Sequence, residues 1–265
     1  MLPADPVVLV IGATGYVGLE TVRAAAATEH VQRVFAHVRP SSQGRQRLEA
    51  GLDLGTGRIQ LEECPLEEKA LDDLLRRIGP THIFLCHGTT AKRARREGVA
   101  GDPYEAVDVE ITRRVVTAAA RVEGDPGLGP RIVYLSSMGA SATARSPYLA
   151  ARGRSEDLLR ASGLPFTLCR APLITGPDRP ERRPGEIWAR RLLDPMLRVL
   201  GFFGMRRLNG RYASMDAEEV AEGLLRSGFH YMTINRAVLG DELRRVGVYE
   251  KESWVPASRR DEPRF

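Results

Sequence analysis

Three glycines, Gly12, Gly15 and Gly18, stand three residues apart in IGATGYVGLE, behind the apolar run VVLVI and ahead of a helical pattern. A turn of this kind can hold a nucleotide pyrophosphate. The first glycine permits the tight turn off a strand, the second lets backbone approach the phosphates, and the third lets the helix pack close to the sheet. The helix that follows offers free amides and the positive end of its dipole to the anion. Thr14, Tyr16 and Val17 complete the cradle between the glycines. A glycine turn without ligand is the plainer reading, but its place at the first strand-to-helix junction favours the cradle.

The choice of nucleotide rests on the second apolar run. NAD enzymes usually end that strand with an Asp or Glu that takes the ribose hydroxyls. Here it ends AHVRP, with Arg39 and no acid nearby. A guanidinium matches a 2′-phosphate bidentately, so NADP(H) is expected and NAD is less expected. The plainer reading makes Arg39 one more solvent arginine. The third run ends EECPLEE, which puts Cys64 or Glu63 beside the adenine. The fourth leads into Cys86, His87, Gly88, Thr89 and Thr90, a small-residue loop suited to lie along the adenine ribose. His87 reads as a wall of the cofactor site or a structural residue rather than a base. Lys92, Arg93, Arg95 and Arg96 read first as a solvated face, then as help to the phosphates, and last as a nucleic-acid patch.

These groups must be positioned by alternating elements. Residues 7–11, 31–38, 58–61, 82–86, 131–135 and 166–169 read as strands; 15–27, 66–78, 103–122 and 147–162 read as helices. The alternation predicts an α/β fold, a doubly wound parallel Rossmann-like sheet with ligands at the carboxyl ends of its strands. We expect a dinucleotide-binding domain over 1–170, a substrate-side lobe of the same compact unit over 171–230, and a tail over 231–265 with one helix near 238–246. Asp216 reads as the cap of a late helix.

Length and composition agree with this. The chain has 265 residues and 43% hydrophobic content, enough for one sizeable core. The net charge of +5 comes without zinc spacing, RNA-binding aromatics or heptads, so nucleic acid is not an expected partner. Lysine occurs only at Lys69, Lys92 and Lys251, so arginine supplies 36 of the 39 basic residues. Three cysteines without paired spacing point to a reducing compartment, and no long apolar segment or leader pattern is seen; a cytoplasmic protein is expected.

The fifth strand ends Leu135, Ser136, Ser137, and eleven residues later comes Tyr148-Leu-Ala-Ala-Arg152. Here the chain resembles the short-chain dehydrogenase/reductase superfamily in its atypical branch, over nearly its whole length. LCHGTT, YLSSMGA, YLAARGRSED and CRAPLITGPDRPERRPGE are similar, in the same order, to loops of the HIV Tat-interacting oxidoreductase-like proteins. The resemblance implies a Ser/Tyr/Lys site: Ser137 polarises a carbonyl, Tyr148 exchanges the proton, and a cation four residues on favours the phenolate. Positions i and i+4 put both groups on one helical face. It also implies that Tyr148, the cation and Pro172 border the cofactor, and that long helices build a homodimer.

Arg152 stands where that pattern has Lys. Arginine keeps the charge but never releases a proton, so it cannot join a proton relay. Two functions stay open. One is an NADP(H)-dependent oxidoreductase on a small, partly apolar carbonyl or alcohol; the other is a non-catalytic NADP(H)-binding regulator or assembly partner. A cysteine nucleophile is disfavoured, because Cys86 and Cys169 lie within strands and Cys64 precedes a proline. No metal site is expected. The stretch 185–205, rich in Leu, Phe and Arg with Trp188, reads as a lid over an apolar substrate or, less simply, a membrane-edge surface.

Overall fold

The computed structural model describes residues 6–40, 42–122, 129–175 and 211–246. Seven strands form one parallel sheet: β1 (Val7–Ile11), β2 (Arg33–Val38), β3 (Ile59–Glu63), β4 (His82–Leu85), β5 (Arg131–Ser137), β6 (Phe166–Ala171) and β7 (Arg236–Leu239). Their order is β3-β2-β1-β4-β5-β6-β7. The chain winds outward from β1 twice, once in each direction, as expected of a doubly wound Rossmann-like fold.

Burial on both faces explains why the central strands are unbroken apolar runs. In β1, Val8 and Val10 join a core shared with α1 (Tyr16–Ala27) and α7 (Ala217–Phe229). Val7, Leu9 and Ile11 join the opposite core, under α3 (Glu68–Ile78), α5 (Glu110–Ala120) and α6 (Pro147–Ala161). A period of two along the strand thus supplies two helix layers. The expected cap is present: Asp216 accepts from the Glu219 amide at 2.8 Å while the Glu219 carboxylate accepts from the Asp216 amide at 3.1 Å. Arg131 ties the end of α7 to the sheet, donating to the Ser227 and His230 carbonyls and to the Thr167 and Thr233 hydroxyls.

Several sequence expectations need correction. Residues 236–239 belong to strand β7 beside β6, so the helix expected over 238–246 shrinks to α8 (Gly240–Arg245). The helix expected over 103–122 breaks into a π-helical turn, Glu105–Val109, followed by α5. Two six-residue helices, α2 (Arg45–Ala50) and α4 (Ala91–Arg96), lie in stretches that the sequence reading assigned to no element. β2 begins at Arg33 rather than at 31; the Val31 amide still donates to the Thr28 carbonyl in the turn from α1. The arginine-rich loop after 175, the 185–205 stretch and the end of the tail fall outside the described residues.

Candidate functional site

The glycine turn is built as its chemistry requires. Gly12 has φ +88°, and a Cβ there would sit 2.6 Å from the His87 amide nitrogen. A Cβ on Gly18 would sit 2.1 Å from the Gly12 carbonyl. The first glycine therefore lets β1 meet the loop after β4, and the third lets α1 press on the turn. Gly15 starts α1 without a side-chain cap. With Gly12 and Thr14 it lines a cleft at the carboxyl end of the sheet, whose wall continues through His87, Gly88 and Thr89. Tyr16 is half-buried with the Arg47 guanidinium over its ring, and Val17 and Gly18 are buried in α1. A cradle that side chains would fill suits the pyrophosphate of a nicotinamide dinucleotide.

Arg39 lies on the same cleft, and it has company that sequence reasoning missed. Glu97, at the end of α4, accepts from Arg39 Nη2 at 3.3 Å and from Arg93 Nε at 2.7 Å. All three residues line the cleft. Burial works to raise the Glu97 carboxyl, but Arg93 and Arg39 outweigh it and hold the group below its ordinary value. Glu63 instead pairs with Arg45. Cys64 turns its thiol to the Pro65 and Ala70 carbonyls, away from the cleft, and its own carbonyl meets His37 Nε2 at 2.7 Å. The buried His37 ring then lines the cleft in its stead, with its pKa lowered by burial to about 4.

His87 is a fixed neutral wall. Its Nε2 lies 3.1 Å from Thr112 Oγ1, whose hydroxyl already donates to the Asp108 carbonyl at 2.7 Å, so Nε2 is the donor to Thr112. Burial lowers its pKa to about 3, which removes it as a base near neutrality. The cysteines are equally quiet: burial pushes Cys86 and Cys169 up to about 12 and raises Cys64 as well. None has the depressed pKa of a thiolate nucleophile.

Ser137 ends β5, with its hydroxyl 3.4 Å from the Met138 carbonyl. Its neighbour Ser136 points the other way and donates at 2.6 Å to Glu156, which also receives Arg170 and Arg160. Tyr148, on the first turn of α6, packs its ring edge-on to Tyr104. Pro172 is buried just past β6.

Arg152 is the surprise of the site. The residue is only 5% exposed, and its guanidinium is held from several sides. Nη1 donates to the Tyr134 hydroxyl at 3.0 Å and the Leu135 carbonyl at 2.9 Å; Nη2 donates to the His87 carbonyl at 3.2 Å and lies 3.0 Å from Asp108 Oδ1. The Tyr148 ring stands against it, with its centroid 5.3 Å from Cζ. A Cβ on Gly88 would come within 2.2 Å of Nη2, so the glycine makes room for the arginine. Burial alone would lower the Arg152 pKa, yet Tyr134, Tyr148 and Asp108 together hold it well above its ordinary value. Asp108 itself is wholly buried in the π-helical turn, and that burial raises its carboxyl pKa against the pull of Arg152. Sequence reasoning missed Asp108, although an acid in phase with Thr112, Val115 and Ala119 along an apolar helical stripe was the available sign.

Fold and cradle together define a dinucleotide-binding Rossmann-type protein. The model of the NAD dependent epimerase/dehydratase family matches residues 8–231, and the chain belongs to that family. No curated protein sequence matches it. Among solved structures it is similar to the terminal R domain of the myxalamid PKS-NRPS pathway, at 17% identity and TM-score 0.60. That match covers 90% of this chain and 66% of the other. The UDP-glucuronic acid 4-epimerase of Bacillus cereus, solved with UDP-glucuronic acid and NAD, is similar at 16% identity and TM-score 0.59, over 92% and 84% of the two chains. For the UDP-Glc/GlcNAc 4-epimerase of Campylobacter jejuni the values are 12%, 0.62, 91% and 81%. At these identities the likeness is one of fold. No helix among the described residues is long and apolar enough to cross a membrane.

Proposed function

We propose that this protein is an NADP(H)-dependent oxidoreductase of the short-chain dehydrogenase/reductase type, acting on a small, partly apolar carbonyl or alcohol. The observation that carries the reading is a single cleft shared by the glycine cradle and Arg39. A bound nicotinamide dinucleotide would supply or accept the hydride. Gly12, Thr14 and Gly15 would hold its pyrophosphate, and Arg39 its 2′-phosphate. On this reading the Tyr148 hydroxyl, which has no hydrogen-bond partner among the described residues, exchanges a proton with substrate, and the Ser137 hydroxyl polarises the carbonyl. Arg152 positions rather than relays: its two terminal nitrogens are held by Tyr134, Leu135, His87 and Asp108, and its guanidinium stands against the Tyr148 ring. The loop motifs similar to the Tat-interacting group support the oxidoreductase reading.

A second reading is favoured by that same lock on Arg152: a cofactor-binding regulator or assembly partner without turnover. Fluorescence titration with NADPH and NADH, followed by aldehydes, ketones and quinones in the same cuvette, separates the two. The proposal expects NADPH to bind more tightly than NADH and to be oxidised by a carbonyl, with Gly12→Ala abolishing both. Tight binding without turnover, unrelieved by Arg152→Lys, selects the regulator. Absence of binding to either nucleotide overturns both.

A further inference from the structure

The absence of an acid at the end of β2 is made good in three dimensions. Glu97 arrives from α4, 58 positions along the chain, and meets Arg39 inside the cleft. Two guanidiniums thus face one carboxylate, and the two contacts are unequal. Arg93 lies four residues before Glu97 and binds it at 2.7 Å; Arg39 reaches it at 3.3 Å through a single nitrogen. Arg39 is the partner more easily given up. An anion that takes Arg39 then lies beside a carboxylate still held by Arg93, with like charges close together. A hydroxyl in the same place can donate to Glu97 instead.

We infer that Glu97 sets the preference of this cleft between dinucleotides, opposing a 2′-phosphate on Arg39 and accepting from a free ribose 2′-hydroxyl. Arg39 and Glu97 therefore pull in opposite directions, and the preference for NADP(H) proposed above is the residue of that contest. The inference rests on the dinucleotide reading of the cleft. It makes Glu97 a specificity-determining residue that neither the glycine turn nor the end of β2 discloses.

The test is equilibrium binding to the full chain and to Glu97→Gln, at one fixed salt concentration, with NADPH, NADH, 2′,5′-ADP and 5′-AMP as probes. The amide keeps the size of the side chain and removes its charge. Glu97→Gln is expected to bind NADPH and 2′,5′-ADP about tenfold more tightly, the worth of removing one like charge from a phosphate site. NADH and 5′-AMP are expected to bind no more tightly than before. Arg93→Met, which leaves Glu97 to Arg39 alone, is expected to move the NADPH to NADH ratio the other way. Melting curves show whether each variant is folded, and Arg93→Met reads the same contest if Glu97→Gln is not. An unchanged or lowered ratio in Glu97→Gln overturns the inference while the dinucleotide reading stands. Failure of the wild-type chain to bind any of the four probes overturns both.

Discussion

Two arginine–carboxylate pairs, Arg39 with Glu97 and Arg152 with Asp108, differ in almost everything but chemistry. Arg39 and Glu97 keep side-chain exposures of 43% and 25% and meet through one long contact. Arg152 and Asp108 are at 6% and 0%, and the guanidinium has three further hydrogen-bond acceptors. A charge pair in water is cheap to exchange, so the first can trade partners with a ligand. A pair sealed from water cannot lose one member without stranding the other, so the second behaves as a strut. The same residue types are thus open to exchange in one pair and locked as architecture in the other, according to access to solvent.

Breaking the strut should have the largest effect. Arg152→Met strands Asp108 in the interior and is expected to cost about 3–5 kcal/mol of stability by denaturant unfolding. Arg152→Lys keeps the charge, but one ammonium cannot reach Tyr134, Leu135 and His87 together; a loss of about 1–3 kcal/mol is expected in the same measurement. Acid tests the buried interior more gently. His37, His82 and His87 have folded-state pKa values lowered by burial from 6.5 to about 4, about 3 and about 3. The unfolded chain therefore takes up the proton first, and stability is complete above pH 6.5 and drains as pH falls toward 4. Each histidine contributes a slope of about 1.4 kcal/mol per pH unit in that window, and His37→Gln should flatten the curve measured from pH 6.5 to 4.5. Arg39→Ala marks the mild end of the comparison. Its stability cost should stay under about 1 kcal/mol, while NADPH affinity falls about tenfold with little change for NADH. Equal losses for both nucleotides would remove Arg39 from phosphate recognition.

Much of the scaffold was legible in the sequence because burial on two faces writes strands as plain apolar runs. β1, β4 and β5 are of this kind, and the glycine turn follows from backbone sterics alone. β7 was not legible: RAVL is four residues long, lies at the sheet edge and buries only Val238 fully. Its apolar residues run on into the helical pattern of α8. The two arginine pairs were half legible. Arg39 and Arg152 stood out by type and place, but their partners Glu97 and Asp108 lie 58 and 44 residues away, and nothing local joins them.

The strand order has a consequence for how the chain is made. β1 pairs with β2 on one side and β4 on the other, Val8 to Ile11 lying against His82 to Leu85. As the protein leaves the ribosome, β2 and β3 are available to β1 well before β4 is. For that interval the inner edge of an entirely apolar strand stands open, with backbone donors and acceptors ready to template another chain. Nor can a nucleotide help at that stage, since Gly12 has no His87 loop to close against. The emergence of residues 82–87 is thus the step that both caps the adhesive edge and completes the cradle, and crowded or stalled synthesis before that point is where this fold is most exposed to aggregation.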